Sequence, residues 1–343
     1  MIRPAVAARA RVERTCESAT DARALRLSVL DELRKAIGFD AYAWLLTDPE
    51  TTVGCAPLAD VPCLPELPRL IRLKYLTEVN RWTSLRGPAL LLDATGGELS
   101  RSLLWRDLLA GYGIVDIASV VFTDRFGCWG FLDLWRSGGS ARFTAADAEF
   151  LAGIAPAVTG GLRRCQANTF VARPSAEQQR VGPVVLLLSP DIEVLGETPE
   201  TRDFLRVLVP PAEGHAPVPA GAYNVAAQLF AVEAGVDQHP PVARVHLASG
   251  LWVTLRAARI GENIAVTIEE TSPGARVTLF TRAFGLSSRE TELLGHLVGG
   301  SDTREVAARM FVSEHTVQAH LKSIFAKTSV RSRRALLARV LGA

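Results

Sequence analysis

The strongest constraint on folding is a close succession of short helical patterns late in the chain. Residues 286–298 (LSSRETELLGHLV) put Leu293, Leu294 and Leu297 on one stripe, with Ser287 or Ser288 placed to cap the helix. Gly299 and Gly300 end it. Residues 302–311 form a second short pattern with Val306, Ala307 and Met310 inward. Val312 and Ser313 make a turn, and Ser313 caps a third helix that buries Val317, Leu321, Ile324 and Phe325. Its opposite face carries His315, Gln318, Ala319 and Lys322. A fourth helix over 332–342 has an apolar strip of Leu336, Leu337 and Val340.

Charge is distributed unevenly over these patterns. No acidic residue follows Glu314, whereas Lys322, Lys327, Arg331, Arg333, Arg334 and Arg339 do. From Arg282 onward ten Arg or Lys face five Asp or Glu, a net of +5 in a chain whose total is +2, so the preceding part carries −3. A basic end on a mildly acidic body suits one segment that meets phosphates and a body that need not touch them. Gln can pair bidentately with adenine and Lys can donate to guanine, so the third helix has groups fit for a major groove.

The string LSSRETELLGHLVGGSDTREVAARMFVSEHTVQAHLKSIFAKTSVRSRRALLARV resembles the LuxR-type helix-turn-helix family. The resemblance rests on the Ser-Arg-Glu start, the Glu-Val-Ala of the second helix, Val-Ser-x-x-Thr-Val-x-x-His in the third, and the Val-Arg-Ser-Arg that follows. It implies base contacts from Gln318, Ala319 and Lys322, with His315 beside them. It implies backbone contacts from Thr316, Lys327, Arg331 and Ser332, and a dimer contact through Leu336, Leu337 and Val340. The sequence departs from the family at Thr328-Ser329, where Leu-Gly is common. Without Gly, a left-handed cap there costs about 1 kcal/mol.

At 343 residues, 48% hydrophobic and 22% charged, the chain has room for two or three globular domains. No apolar run approaches the roughly 20 residues of a membrane span. The start has no long apolar core or small-residue cleavage site, so no signal peptide is expected. Cys16, Cys55, Cys63, Cys128 and Cys165 form no CxxC pair and read as buried thiols in a reducing cytoplasm.

In the first block, Thr20 is placed to cap a helix carrying Leu25, Val29, Leu33 and Ile37. Residues 41–47 read as a strand, and the Pro- and Gly-rich stretch to Pro68 as irregular. Residues 66–79 and 99–113 read as helices, and a hairpin turns near Asp124-Arg125. A long helix starts at Thr144 with Asp147 three positions on, and Pro156 with Gly160-Gly161 should bend or divide it. The second block has strands at 184–189, 192–197 and 263–270, and a hairpin turning at Ser249-Gly250. Thr198-Pro199 opens a short helix, and 222–234 is helical. No internal repeat is visible.

The first block resembles a GAF domain through IGFDAYAWLL, FGCWGFLDLWR and FTAADAEFLAGIAP. The second resembles a PAS-like fold through VVLLLSPDIEVLGETPETRDFL and SGLWVTLRAARI. The expected class is α+β multidomain: GAF-like and PAS-like antiparallel sheets with flanking helices, then an all-α four-helix LuxR-type domain. The expected limits are 1–170 GAF-like, 171–183 linker, 184–271 PAS-like, 272–282 linker and 283–343 LuxR-type.

Such blocks either hold a small molecule or stand empty as dimerising spacers, and both readings stay open. Any pocket is expected between the first sheet and helices 66–79 and 99–111, with Trp44, Trp82 and Trp105 as walls. None of the six His precedes His215, so a haem ligand and a general base are missing from the first block. No catalytic set, cofactor or metal site is expected. The sequence therefore reads as a cytoplasmic, homodimeric, DNA-binding regulator answering to a small organic effector. A ligand-free dimerising scaffold, or an enzyme with a DNA-docking tail, are the alternatives.

Overall fold

A computed structural model describes residues 2–171, 184–201, 220–247 and 251–342. The expected linker at 171–183 lies outside them apart from Val171, as do His215 and the expected turn at Ser249-Gly250.

The first unit opens with α1 (Ile2–Ser18) and α2 (Ala22–Ala36). Asp21, not Thr20, caps α2: its Oδ1 accepts from the Ala24 amide at 2.7 Å. Strand β1 (Ala41–Thr47) follows as expected. The stretch taken as irregular then contains β2 (Gly54–Asp60), which includes Pro57. That Pro is tolerated because β2 is the edge of the sheet, where a missing donor costs no ladder bond.

Helix α3 (Leu67–Leu76) falls within the expected span. The segment expected as one helix over 99–113 is broken instead. Ser102 accepts from the Trp105 amide and starts a separate short helix at 103, and Gly113 turns left-handed at φ 66°. In chain order β3 (Ala89–Leu90), α4 (Leu91–Ala94) and α5 (Leu103–Asp107) lead to β4 (Ile114–Asp124) and β5 (Gly127–Ser137), the expected hairpin.

Helix α6 (Ala145–Thr169) begins with the expected Thr144–Asp147 capping box and continues through Pro156 without division. Its Gly161 allows close packing: a Cβ there would meet Leu25 at 3.1 Å and Cys16 at 3.3 Å. The sheet runs β2-β1-β5-β4-β3, antiparallel at every pairing. Strand β1 divides its side chains by parity. Trp44 joins the core beneath α1, α2 and α6, whereas Ala41, Ala43 and Leu45 face the core under α3.

The second unit has β6 (Val184–Leu188), β7 (Val194–Glu197), α7 (Ala220–Glu233), β8 (Val242–His246), β9 (Trp252–Ile260) and β10 (Asn263–Glu270). Residues 199–201 are helical, and the rest of that expected helix lies outside the described residues. The sheet order is β7-β6-β10-β9-β8. This is the order of the first sheet transposed, so the two units share a topology that their sequences do not show as a repeat. Helix α7 is almost wholly buried, packed between its own sheet and α3 and β2 of the first unit.

The segment expected as a linker at 272–282 is helix α8 (Pro273–Ala283), capped by Ser272 with Pro at its first position. Its Leu279 and Phe280 are buried in a core shared with α6 and the helices that follow. Those are α9 (Ser288–Val298), α10 (Thr303–Met310), α11 (Glu314–Thr328) and α12 (Arg333–Leu341). The class is thus α+β, two antiparallel sheets flanked by helices and then an all-α four-helix unit.

Candidate nucleic-acid interface and ligand cavity

Helices α10 and α11 form the turn motif. Asp302 and Glu305 make a capping box on α10, and Ser313 caps α11 by accepting from the Thr316 amide at 3.1 Å. Val317, Leu321 and Ile324 are buried, which rotates His315, Gln318, Ala319 and Lys322 outward, all four exposed. They lie at i, i+3, i+4 and i+7 and so form one continuous strip. Thr316 is half-buried, its hydroxyl 2.9 Å from that of Ser313. Arg331 and Ser332 are exposed at the start of α12, where Ser332 accepts from the Ala335 amide.

Lys327 is not a free cation. Its Nζ lies 2.6 Å from Glu290 Oε2 and 3.3 Å from the Gly285 carbonyl. Burial works against ionisation of Glu290, but hydrogen bonds from Lys327, Ser323 and Ser287 outweigh it and hold the carboxyl down at about 2. Lys327 therefore ties α11 to α9 across the turn motif.

The dimer expectation needs correction. Leu336 and Val340 are fully buried inside the protomer, because α12 packs on α8. Arg276 of α8 donates from Nε to the Val340 carbonyl at 2.8 Å and seals that contact. Of the three expected contact residues only Leu337 reaches the surface, beside Arg334 and Leu341.

A cavity of about 170 Å³ lies between the first sheet and α3, where a pocket was expected. Ala43, Leu45 and Trp135 line it from the sheet, Leu70, Ile71 and Lys74 from α3, and Leu104 from α5. Trp82 is a wall, stacked on Phe131 with ring centroids 5.3 Å apart. Trp44 is not: strand parity puts it on the opposite face, stacked on Phe122. Trp105 is also absent from the lining, its indole N–H held by the Ile114 carbonyl at 2.7 Å.

The polar end of this cavity was not anticipated. Lys74 and Asp133 form an ion pair at 2.9 Å, both nearly inaccessible. Asp133 also accepts from Trp82 Nε1 at 3.1 Å and Ser119 Oγ at 2.6 Å. Lys74 donates a second N–H to the Asn80 carbonyl at 3.0 Å, which leaves a third available. Trp135 contributes a buried indole N–H without a partner. The sequence did carry a signal. Lys74 stands on a stripe with Leu67, Leu70 and Ile71, and Asp133 stands inside an apolar strand.

The second unit closes the same cavity with Ala220 and Asn224 of α7. Gly54 donates its amide to Tyr75 OH at 2.9 Å, Tyr75 donates to Asn224 Oδ1 at 3.0 Å, and Asn224 donates to the Ala220 carbonyl at 2.7 Å. This chain needs Gly54, since a Cβ there would sit 2.5 Å from Leu45.

All five cysteines are buried and unpaired. Burial raises every thiol, to about 12 for Cys16, Cys55 and Cys128 and about 11 for Cys63 and Cys165. Among the described residues no helix is long and apolar enough to cross a membrane.

Residues 285–340 match the family described as bacterial regulatory proteins, luxR family. The chain is 33% identical over 88 residues to the probable csgAB operon transcriptional regulatory protein of Salmonella typhimurium (strain LT2), covering 26% of this chain and 41% of that protein. It is 42% identical over 48 residues to the CsgBAC operon transcriptional regulatory protein of Escherichia coli (strain K12), covering 14% and 22%. The chain thus spans less than half the length of either relative. Bacteriophytochrome RpBphP3 of R. palustris aligns with 78% of this chain and 62% of its own at 14% identity, with a TM-score of 0.31, too slight to bear on fold or ligand. The four helices that close this chain therefore belong, over residues 285–340, to the luxR family of bacterial regulatory proteins.

Proposed function

We propose that this chain is a cytoplasmic, dimeric transcriptional regulator that reads double-stranded DNA through α11 and answers to a small organic effector in its first unit. The observation that carries the DNA reading is the exposed strip of His315, Gln318, Ala319 and Lys322 on the helix after the family's turn. Gln318 and Lys322 read base edges, and Thr316, Arg331 and Ser332 hold the backbone. The units act as sensor (1–170), second sensor-like unit (184–271) and reader (283–343), with no catalytic chemistry. Two readers about 34 Å apart engage successive major grooves, so the reading requires a dimer. The outward face of α12 at Arg334, Leu337 and Leu341 is available for that contact, with the two preceding units as the larger surface.

The effector reading is supported by the apolar cavity with one polar end at Lys74, Asp133 and Trp135. A mostly apolar molecule with a single hydrogen-bonding head suits it. Selection of an operator from random DNA, followed by titration of Lys322→Ala, tests the DNA reading. The substitution is expected to cost about 1–3 kcal/mol on the operator and relax one base position. Equal affinity of wild type and variant for operator and random DNA would remove α11 as the reader. A thermal-shift screen of metabolites, repeated on Ala59→Trp at the cavity rim, tests the effector. Shifts from ligands of this cavity are expected to vanish in that variant, and the absence of any Ala59→Trp-sensitive shift favours the empty reading of this cavity.

A further inference from the structure

A second cavity, of about 410 Å³, lies at the junction of the two sheet-bearing units. Arg23 and Arg26 line it from α2, Thr169 from the last turn of α6, and Trp252 from β9. Arg26 is only 4% exposed, yet its guanidinium meets carbonyl oxygens alone. Nε donates to Ala22 at 3.2 Å, and Nη1 donates to Trp44 at 3.0 Å and to Ala56 at 2.8 Å. Among the described residues Nη2 has no hydrogen-bond partner and no carboxylate pairs with this arginine. Burial lowers its pKa to about 10, the mark of a cation that its surroundings do not compensate.

The rest of the cavity sharpens the point. Arg244, on the far wall, is neutralised by Asp48 and Glu50. The carboxylate on the wall, Asp21, spends Oδ1 on the cap of α2. Arg23 stands exposed, with no ion pair among the described residues. A buried charge without a counterion is costly, and an anion arriving from solution supplies one. The remaining lining is mixed: Thr47, Gln166, Asn168 and His246 share it with apolar side chains. The apolar part comes from Trp129, Leu162, Val245 and Trp252, and the Trp252 indole N–H is buried without a partner.

We propose that this cavity binds a small carboxylate with a flat apolar body, the carboxylate on Arg26 and the body beside Trp252. The site is distinct from the effector cavity under α3 and shares no lining residue with it. Its occupant also touches the path to the reader. Trp252 stacks on Phe170 at 5.3 Å, and Phe170 meets Phe280 of α8 edge-on at 5.3 Å.

Calorimetric titration of the full chain with 1-naphthoate, decanoate and inorganic phosphate tests the assignment. Binding of 1-naphthoate is expected, weakened about tenfold by Arg26→Met and at least about threefold by Arg23→Gln, and unchanged in Ala59→Trp. Because Arg26 also bridges α2 to the sheet, its variant is checked by its unliganded melting curve. Arg23 is exposed, so Arg23→Gln keeps the test valid if Arg26→Met does not fold. Absence of 1-naphthoate binding at millimolar concentration, or binding indifferent to both arginines, overturns the proposal. So does loss of binding in Ala59→Trp, which would move the ligand to the first cavity. Equal binding of phosphate or decanoate would overturn the flat apolar body.

Discussion

At the scale of single residues, the turn motif holds two side chains in backbone conformations that ordinarily favour glycine. Phe311 closes α10 at φ 56° and Ser329 closes α11 at φ 53°. The second was legible, because Thr328-Ser329 stands where the family has Leu-Gly. The first was not, since a phenylalanine reads as core and this one is 94% exposed. Its ring therefore contributes little packing while its backbone carries the left-handed strain. Phe311→Gly is expected to stabilise the reader by about 1 kcal/mol, measured as a later midpoint of its unfolding in urea. A large loss of stability would mean that the ring packs in solution. Parity explains the other misplacement: sequence shows that Trp44 and Trp135 lie in strands, but not which face each takes once the sheet is covered on both sides.

Elements with chemical punctuation were the legible ones. Thr144, Ser287 and Ser313 each announce a helix start, and each caps one. Elements that depend on their neighbours were not. Pro57 sits in a strand because the strand is an edge, Pro156 sits inside a helix held on α1, and α8 was hidden in a sequence of Ser, Pro, Gly and Thr. The Glu290–Lys327 tie is an element-scale contact of the same kind, since it joins α9 to α11. Glu290→Gln is expected to destabilise the reader by about 2 kcal/mol, the worth of a charge-assisted bond at a buried acceptor. The pH dependence follows from the depressed carboxyl. The ordinary value is 4.5 and the folded one about 2, so this stabilisation is complete above pH 4.5 and disappears as pH falls through 2. Chemical denaturation of wild type and Glu290→Gln at pH 7 and pH 3 measures it. The gap between the two proteins should shrink at the lower pH, and a gap that stays constant would assign the stabilisation to packing.

At the scale of the whole molecule, the sequence showed three segments but not how they grip one another. The grip rests on the turn between β1 and β2. Asp48 is fully buried and accepts from Arg244 Nε and Nη2, each at 2.6 Å, and from the Arg244 amide at 2.9 Å. Glu50, two residues on, meets Arg244 Nη2 at 2.7 Å and lies 3.8 Å from Arg282 at the end of α8. Arg282 in turn donates to the Phe126 carbonyl in the hairpin turn of β4 and β5 at 2.7 Å. One turn of the first unit thus holds both the second unit and the helix that leads to the reader. Asp48, Glu50, Arg244 and Arg282 stand in no motif, and Arg244 is almost two hundred positions from both of its carboxylates, which is why the sequence did not reveal them. Asp48→Ala leaves Arg244 buried with only the rim carboxylate of Glu50 and is expected to cost about 3–5 kcal/mol. Hydrogen exchange should show the loss in β8 and α8 first, because those elements lose their anchor while the first sheet keeps its own ladder. Protection lost evenly over the first sheet, with β8 and α8 unchanged, would mean that the turn serves its own unit alone.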